Sequence, residues 1–121
     1  MKNVAVILSG NGVYDGSEIH EAVLTLLAIE NNGASYRCFA PNIEQHHVIN
    51  HLSGEISDDE TRNVLVESAR IARGDIEDLN DLLVDEFDVL IVPGGFGVAK
   101  NLCSFAYEGE NSQINKVVLT A

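Results

Sequence analysis

The sequence predicts an α/β protein built on a doubly wound parallel sheet, and three observations predict it. Residues 2–8 are apolar and β-branched with no polar alternation after Asn3, and Val89-Leu90-Ile91-Val92 is a short apolar run, as expected of strands covered on both faces; residues 35–40 read as a further strand between them. Stretches of helical periodicity separate them, giving the order β-α-β-α-β-α that a right-handed parallel sheet needs. Glycine or proline closes each strand, so each element has a stop signal.

In chain order, the first strand is apolar after Asn3, and Ser9-Gly10-Asn11-Gly12 breaks it. Asp15-Gly16-Ser17 leads into a helix whose Ile19, Ala22, Val23, Leu26 and Leu27 are spaced to form one buried face. Asn31-Asn32-Gly33 ends it with residues tolerant of the left-handed conformation. The second strand closes at Pro41. Residues 42–59 carry no clear period; Val48 and Ile49 fit a short strand, and Ser53-Gly54 a turn. Residues 61–73 form a helix with Val64, Leu65, Ser68, Ile71 and Ala72 on one side and Gly74 at its end. Residues 75–86 are acidic and read as a short helix or loop over the sheet edge. The third strand, 88–92, is expected to be buried. Helical stretches follow at about 97–106 and 112–121.

The turn after that strand carries the strongest chemical signal. Pro93-Gly94-Gly95 ends the strand and bares backbone N–H groups where Val98-Ala99-Lys100-Asn101-Leu102 starts a helix. Amides in such a turn can meet a developing negative charge.

Composition narrows the function. The net charge is −12, from 19 acidic and 7 basic residues. Nucleic acid and anionic membrane surfaces are therefore poor partners. No apolar stretch approaches a membrane span, and no secretory or transit signal is visible. Cys38 and Cys103 make no disulfide framework and read as structural; a cytoplasmic location is the expectation. The acidic stretch 55–88 reads as solvated surface.

Gly10-Asn11-Gly12 with Gly16 is one residue too long for a dinucleotide fingerprint, and no acid ends the second strand to hold a ribose. No cofactor is expected. His46, His47 and His51 lack a helical pattern and an acid or cysteine at ligand spacing, so no metal site is expected. Two readings of Glu18 stand. It begins a helix at the carboxyl end of a strand, where it can move a proton. Asp15 to Glu18 also has the spacing of a capping box, with Asp15 as the cap. His20 lies near enough to be its acid/base partner, or is a surface or subunit-contact histidine.

The segment from Ile7 to Glu21, with its Val13-Tyr14-Asp15-Gly16-Ser17-Glu18-Ile19-His20-Glu21 core, resembles the opening of the enhancing-lycopene-biosynthesis (ElbB, sigma cross-reacting protein) family. That family lies within the ThiJ/PfpI superfamily of class I amidotransferase-like domains. Phe39-Ala40-Pro41, Val48-Ile49-Asn50-His51-Leu52, the segment from Glu60 to Glu67, and the turn from Val92 to Gly97 with Ala99-Lys100-Asn101-Leu102 match as well. The resemblance covers essentially the whole chain. It implies a flavodoxin-like doubly wound sheet with helices on both faces, in which residues 1–121 form the N-terminal part of a single domain and half of a three-layer sandwich. It also implies a catalytic site made of Glu18 as the acid near a nucleophile, Gly94 and Gly95 as the oxyanion hole, and a cysteine on a later strand-to-helix turn. Neither Cys38 nor Cys103 matches that cysteine. The chain ends in an apolar run without a cap, as a cut chain does, so it is expected to be poorly stable alone or to pair with a second half.

The implied activity is a cofactor-independent, glyoxalase-like conversion of glyoxal or a related 2-oxoaldehyde to a hydroxy acid through a cysteine hemithioacetal. A small-molecule aldehyde substrate and a homodimer follow as expectations. The alternative is a thiol or metabolite sensor, or a partner-binding protein linked to isoprenoid metabolism. Amidotransferase chemistry would require a downstream His/Glu pair and an ammonia acceptor.

Overall fold

The computed structural model describes residues 1–120. Four parallel strands form one sheet in the order β3-β2-β1-β4. Strand β1 (Asn3–Ile7) pairs with β2 (Ser35–Ala40) from Asn3 opposite Ser35 to Ile7 opposite Phe39. On its other side β1 pairs with β4 (Val89–Ile91), Val4 opposite Val89 and Val6 opposite Ile91.

The two faces of β1 build separate cores, because successive side chains point to opposite faces. Val4, Val6 and Leu8 pack with Ala22, Leu26 and Ile29 of helix α1 (Ile19–Asn31) and with Val64 of α2 (Val64–Ala72). Ala5 and Ile7 pack with Phe39, Leu79 and Leu102 on the opposite face. Strand β1 is thus covered on both sides, as its apolar run requires.

Strand β3 (Ile76–Asp78) lies inside the acidic stretch expected to be helix or loop. It pairs with β2, Cys38 opposite Ile76 and Ala40 opposite Asp78. Its pattern is too short and polar to read from sequence, and a cross-strand contact helps hold it: the Arg37 guanidinium of β2 donates to the Glu77 carboxylate at 2.8 Å. Tight 3-10 turns at Leu79–Asp81 and Val84–Glu86 carry the chain on to β4.

Helix α1 buries only part of the expected face, Ala22 and Leu26, and adds Ile29 to it. Ala22, Leu26 and Ile29 face the core, whereas Ile19, Val23, Leu24 and Leu27 are exposed. Among the described residues β4 lies at the edge of the sheet and is not buried as expected, with Leu90 55% exposed. Apolar periodicity places a stripe on a helix but does not say which of two adjacent stripes the sheet covers.

Helix α2 starts at Val64, not at residue 61, because the Asn63 side chain caps it by accepting the Val66 N–H at 2.9 Å. Ile49 makes only an isolated antiparallel bridge to Ile56. The helix expected at 97–106 divides into a π-helical turn, Val98–Leu102, and a short α3, Phe105–Glu108. The last expected helix shortens to α4, Lys116–Thr120; Ala121 lies outside the described residues.

Candidate functional site

The chain leaves β1 toward β2 on one side, and β4 adds on the other. The carboxyl ends of β1 and β4 therefore form the crevice where open α/β sheets bind ligands. Three hydrogen bonds lace the loops that follow these strands. Glu18 N–H donates to Gly94 O at 2.8 Å, Phe96 N–H to Val13 O at 2.8 Å, and Gly97 N–H to Gly16 O at 2.9 Å. This approach needs glycine. Gly95 has φ +122°, and a side chain at Gly97 would come within 2.6 Å of Ser9 O.

Buried polar side chains fix the loops from beneath. Ser9 N–H donates to Ser17 Oγ at 2.9 Å, and Gly10 N–H to Ser68 Oγ of α2 at 2.9 Å. Asn101, in the π-helical turn, joins three segments. Its Nδ2 donates to Ser9 O at 2.9 Å and Asp15 O at 3.0 Å, and its Oδ1 accepts His46 N–H at 2.8 Å. None of these roles was legible in the sequence, where Asn101 stands in a helix-like run and the serines in a turn or on a helix face.

Glu18 is half-buried and is itself the cap of α1: its carboxylate accepts Glu21 N–H at 2.7 Å. The capping box with Asp15 as the cap is therefore not formed. Asp15 is buried and instead accepts Ile49 N–H at 2.8 Å, tying the first loop to residues 42–59. The exposed His20 ring donates through Nδ1–H to Glu18 at 2.9 Å. That bond, then the Glu21 N–H, holds the Glu18 carboxyl below the usual carboxylate range. Across the laced loops, the Gly94 and Gly95 N–H groups donate to no partner among the described residues. The Glu21 carboxylate lies beside Gly94, where a Cβ would be 2.8 Å from Glu21 Oε1.

The first glycine loop is folded on itself: Gly12 N–H bonds Ser17 O at 2.9 Å and Gly16 N–H bonds Gly12 O at 2.7 Å. Both amides are therefore spent within the loop. The histidines are spread over aromatic contacts. His51 stacks on Tyr14 at 4.9 Å, and His46 on Tyr107 at 3.8 Å. Among the described residues, no group of three His, Cys, Asp or Glu side chains is placed to hold a metal ion. Burial pushes the Cys38 thiol up to about 11. Cys103 is half-buried, its thiol 3.4 Å from Val98 O.

A parallel sheet with glycine loops laced at its switch point is the architecture of the class I amidotransferase-like domains that the motifs resemble. No family profile matches the chain. Its relatives nevertheless include a glutamine amidotransferase-like class 1 domain protein. The chain is 54% identical over 115 residues to the human glutamine amidotransferase-like class 1 domain-containing protein 3, mitochondrial, covering 95% of this chain and 43% of that protein. It is 54% identical to the rat ES1 protein homolog, mitochondrial, over the same shares, and 40% identical over 120 residues to the zebrafish ES1 protein, mitochondrial, covering 96% and 44%. The crystal structure of an isoprenoid biosynthesis protein with an amidotransferase-like domain from Ehrlichia chaffeensis superposes with a TM-score of 0.82 at 52% identity, over 84% of this chain and 47% of that one. This likeness makes the fold flavodoxin-like. The chain spans less than half the length of these relatives.

No helix among the described residues is long and apolar enough to cross a membrane. The curated relatives are named as mitochondrial, which lends no support to the cytoplasmic expectation.

Proposed function

We propose that this chain contributes the acid and the oxyanion-binding amides of a glyoxalase-like site in a protein of the ElbB type, within the amidotransferase-like superfamily. The observation that carries the reading is the Glu18 N–H to Gly94 O bond at 2.8 Å. It ties the start of α1 to the turn whose Gly94 and Gly95 amides have no partner among the described residues.

The nucleophile is a cysteine thiolate from polypeptide beyond these residues. Its sulfur adds to the aldehyde carbon of a 2-oxoaldehyde, and the former carbonyl oxygen carries the negative charge. The Gly94 and Gly95 amides stabilise that oxygen. Glu18, ionised at neutral pH, takes the proton from the hemithioacetal carbon. Returned to the neighbouring carbon, that proton yields a thioester with the neighbouring carbonyl reduced to an alcohol, and water releases the hydroxy acid and the thiol. Oxidation at one carbon balances reduction at the other, so no redox cofactor is required. A small neutral substrate suits a strongly acidic surface, and a homodimer in a reducing compartment completes the proposal.

The test is glyoxal turnover with Glu18→Gln in a polypeptide of the relatives' full length. A fall in kcat of at least about 100-fold is expected for loss of a general base. Unchanged turnover would remove Glu18 from the mechanism.

A further inference from the structure

A second feature lies away from Glu18. A polar cavity of about 330 Å³ sits between the first glycine loop, residues 45–62 and the start of α2, and neither Glu18, Gly94 nor Gly95 lines it. Its walls include Asp15, Gln45 and Glu67, each less than 8% exposed.

Their hydrogen-bond inventory is lopsided. Asp15 uses Oδ2 for Ile49 N–H. Asp15 Oδ1 has only His51 Nε2 at 3.8 Å, and that nitrogen already accepts Tyr14 N–H. Gln45 gives Nε2–H to His47 O at 3.0 Å, which sets its amide so that Oε1 is left over. Glu67 spends Oε1 on Arg62 at 3.1 Å and Arg70 at 3.3 Å, leaving Oε2. The one guanidinium on the wall, Arg62, is taken up by Glu67 and by Glu60 at 3.2 Å. Among the described residues, the sealed side-chain polar atom without a partner is His47 Nδ1. The three spare oxygens are therefore not sealed off, and they belong to side chains that line the cavity. Three acceptors on nearly buried side chains, with a surplus of negative charge and no free cation, call for a ligand that donates several hydrogen bonds and carries positive charge.

We propose that this cavity binds a small primary ammonium compound, with its NH3+ group received by Asp15 Oδ1, Gln45 Oε1 and Glu67 Oε2. An ammonium has three donors and no acceptor, which matches three spare oxygens. A carboxylate or phosphate is repelled by the same wall. The site is independent of the chemistry proposed for Glu18.

The experiment is an NMR titration of the 15N-labelled protein with ethanolammonium, with glycerol and acetate as probes of similar size. Ethanolammonium is expected to shift the amides of Asn11, Asp15 and Ser57 saturably, at least about tenfold more tightly than glycerol, as one net charge contact allows. Acetate should cause no saturable shift. Asp15→Asn keeps an acceptor for Ile49 N–H but removes the charge, and should weaken binding about tenfold. Asn11→Asp adds a carboxylate at a side chain that makes no hydrogen bond among the described residues, and should tighten it. It reads out the charge preference even if Asp15→Asn does not fold. Equal affinity for glycerol and ethanolammonium, no saturable shift with either, or an Asn11→Asp variant no tighter than the parent would overturn the proposal.

Discussion

Replacing Asn101 with alanine should unfasten the loops that carry the site. The side chain is buried and makes three hydrogen bonds, to Ser9 O, Asp15 O and His46 N–H. Ser9 and Asp15 are themselves buried, and neither carbonyl has another donor among the described residues. Each buried carbonyl left unpaired costs ~1–1.5 kcal/mol at the low end of the usual range. His46 is exposed, so its N–H can recover water and its loss costs about 0.5 kcal/mol. The sum is ~3 kcal/mol, a large share of the ~5–15 kcal/mol that stabilises a domain. A chain of this size should lose roughly 12 °C in Tm. Urea unfolding and a thermal melt followed by circular dichroism measure both quantities. Asn101→Asp sharpens the test: it can still accept His46 N–H but turns a carboxylate against two carbonyls. It should be less stable than alanine at pH 7 and recover on acidification, as protonation restores one donor. A loss below ~1 kcal/mol for alanine, or an aspartate variant as stable as the parent, would refute the reasoning.

Three further outcomes follow from the geometry. Gly97→Ala brings a methyl within 2.6 Å of Ser9 O and against the Gly16 backbone, neither of which is a side-chain tip that can swing away; a loss of about 2–3 kcal/mol in the same unfolding assay is expected. Cys38 should resist a thiol reagent at pH 8 in the folded protein, since burial raises its pKa to about 11. Cys103 should react first, and mass spectrometry of the singly labelled product identifies which it was. Burial, with Lys100 adding repulsion, lowers the His47 pKa below its ordinary 6.5. The unfolded chain then binds the proton first, so this contribution to stability is complete above pH 6.5 and fades as pH falls below it. Urea midpoints at pH 7.5 and 5.5 should differ in that sense, and His47→Gln should shrink the difference.

The strands on either side of the crevice and the turns that end them could be read from the sequence because their signals are local. An unbroken apolar run marks β1, Pro41 closes β2, and Pro93-Gly94-Gly95 marks the site's turn. The placement of Glu18 at the start of α1 was equally local. What remained hidden depends on partners distant in the chain. Ile76-Glu77-Asp78 becomes a strand only beside β2, with Arg37 facing Glu77. Asp15 has the spacing of a cap, yet it is drawn inward by Ile49 N–H, 34 residues away, and leaves the cap to Glu18. Gln45 and Glu67 look like ordinary polar residues until folding buries both against one cavity. The sequence alone thus determined three of the four strands, the glycine turns and the candidate acid, since hydrophobic period and backbone freedom act over a few residues. Only the tertiary structure decided which helix stripe is covered, which carboxylate caps and which buried acceptors are left without donors, because those follow from packing and hydrogen-bond satisfaction across the whole chain.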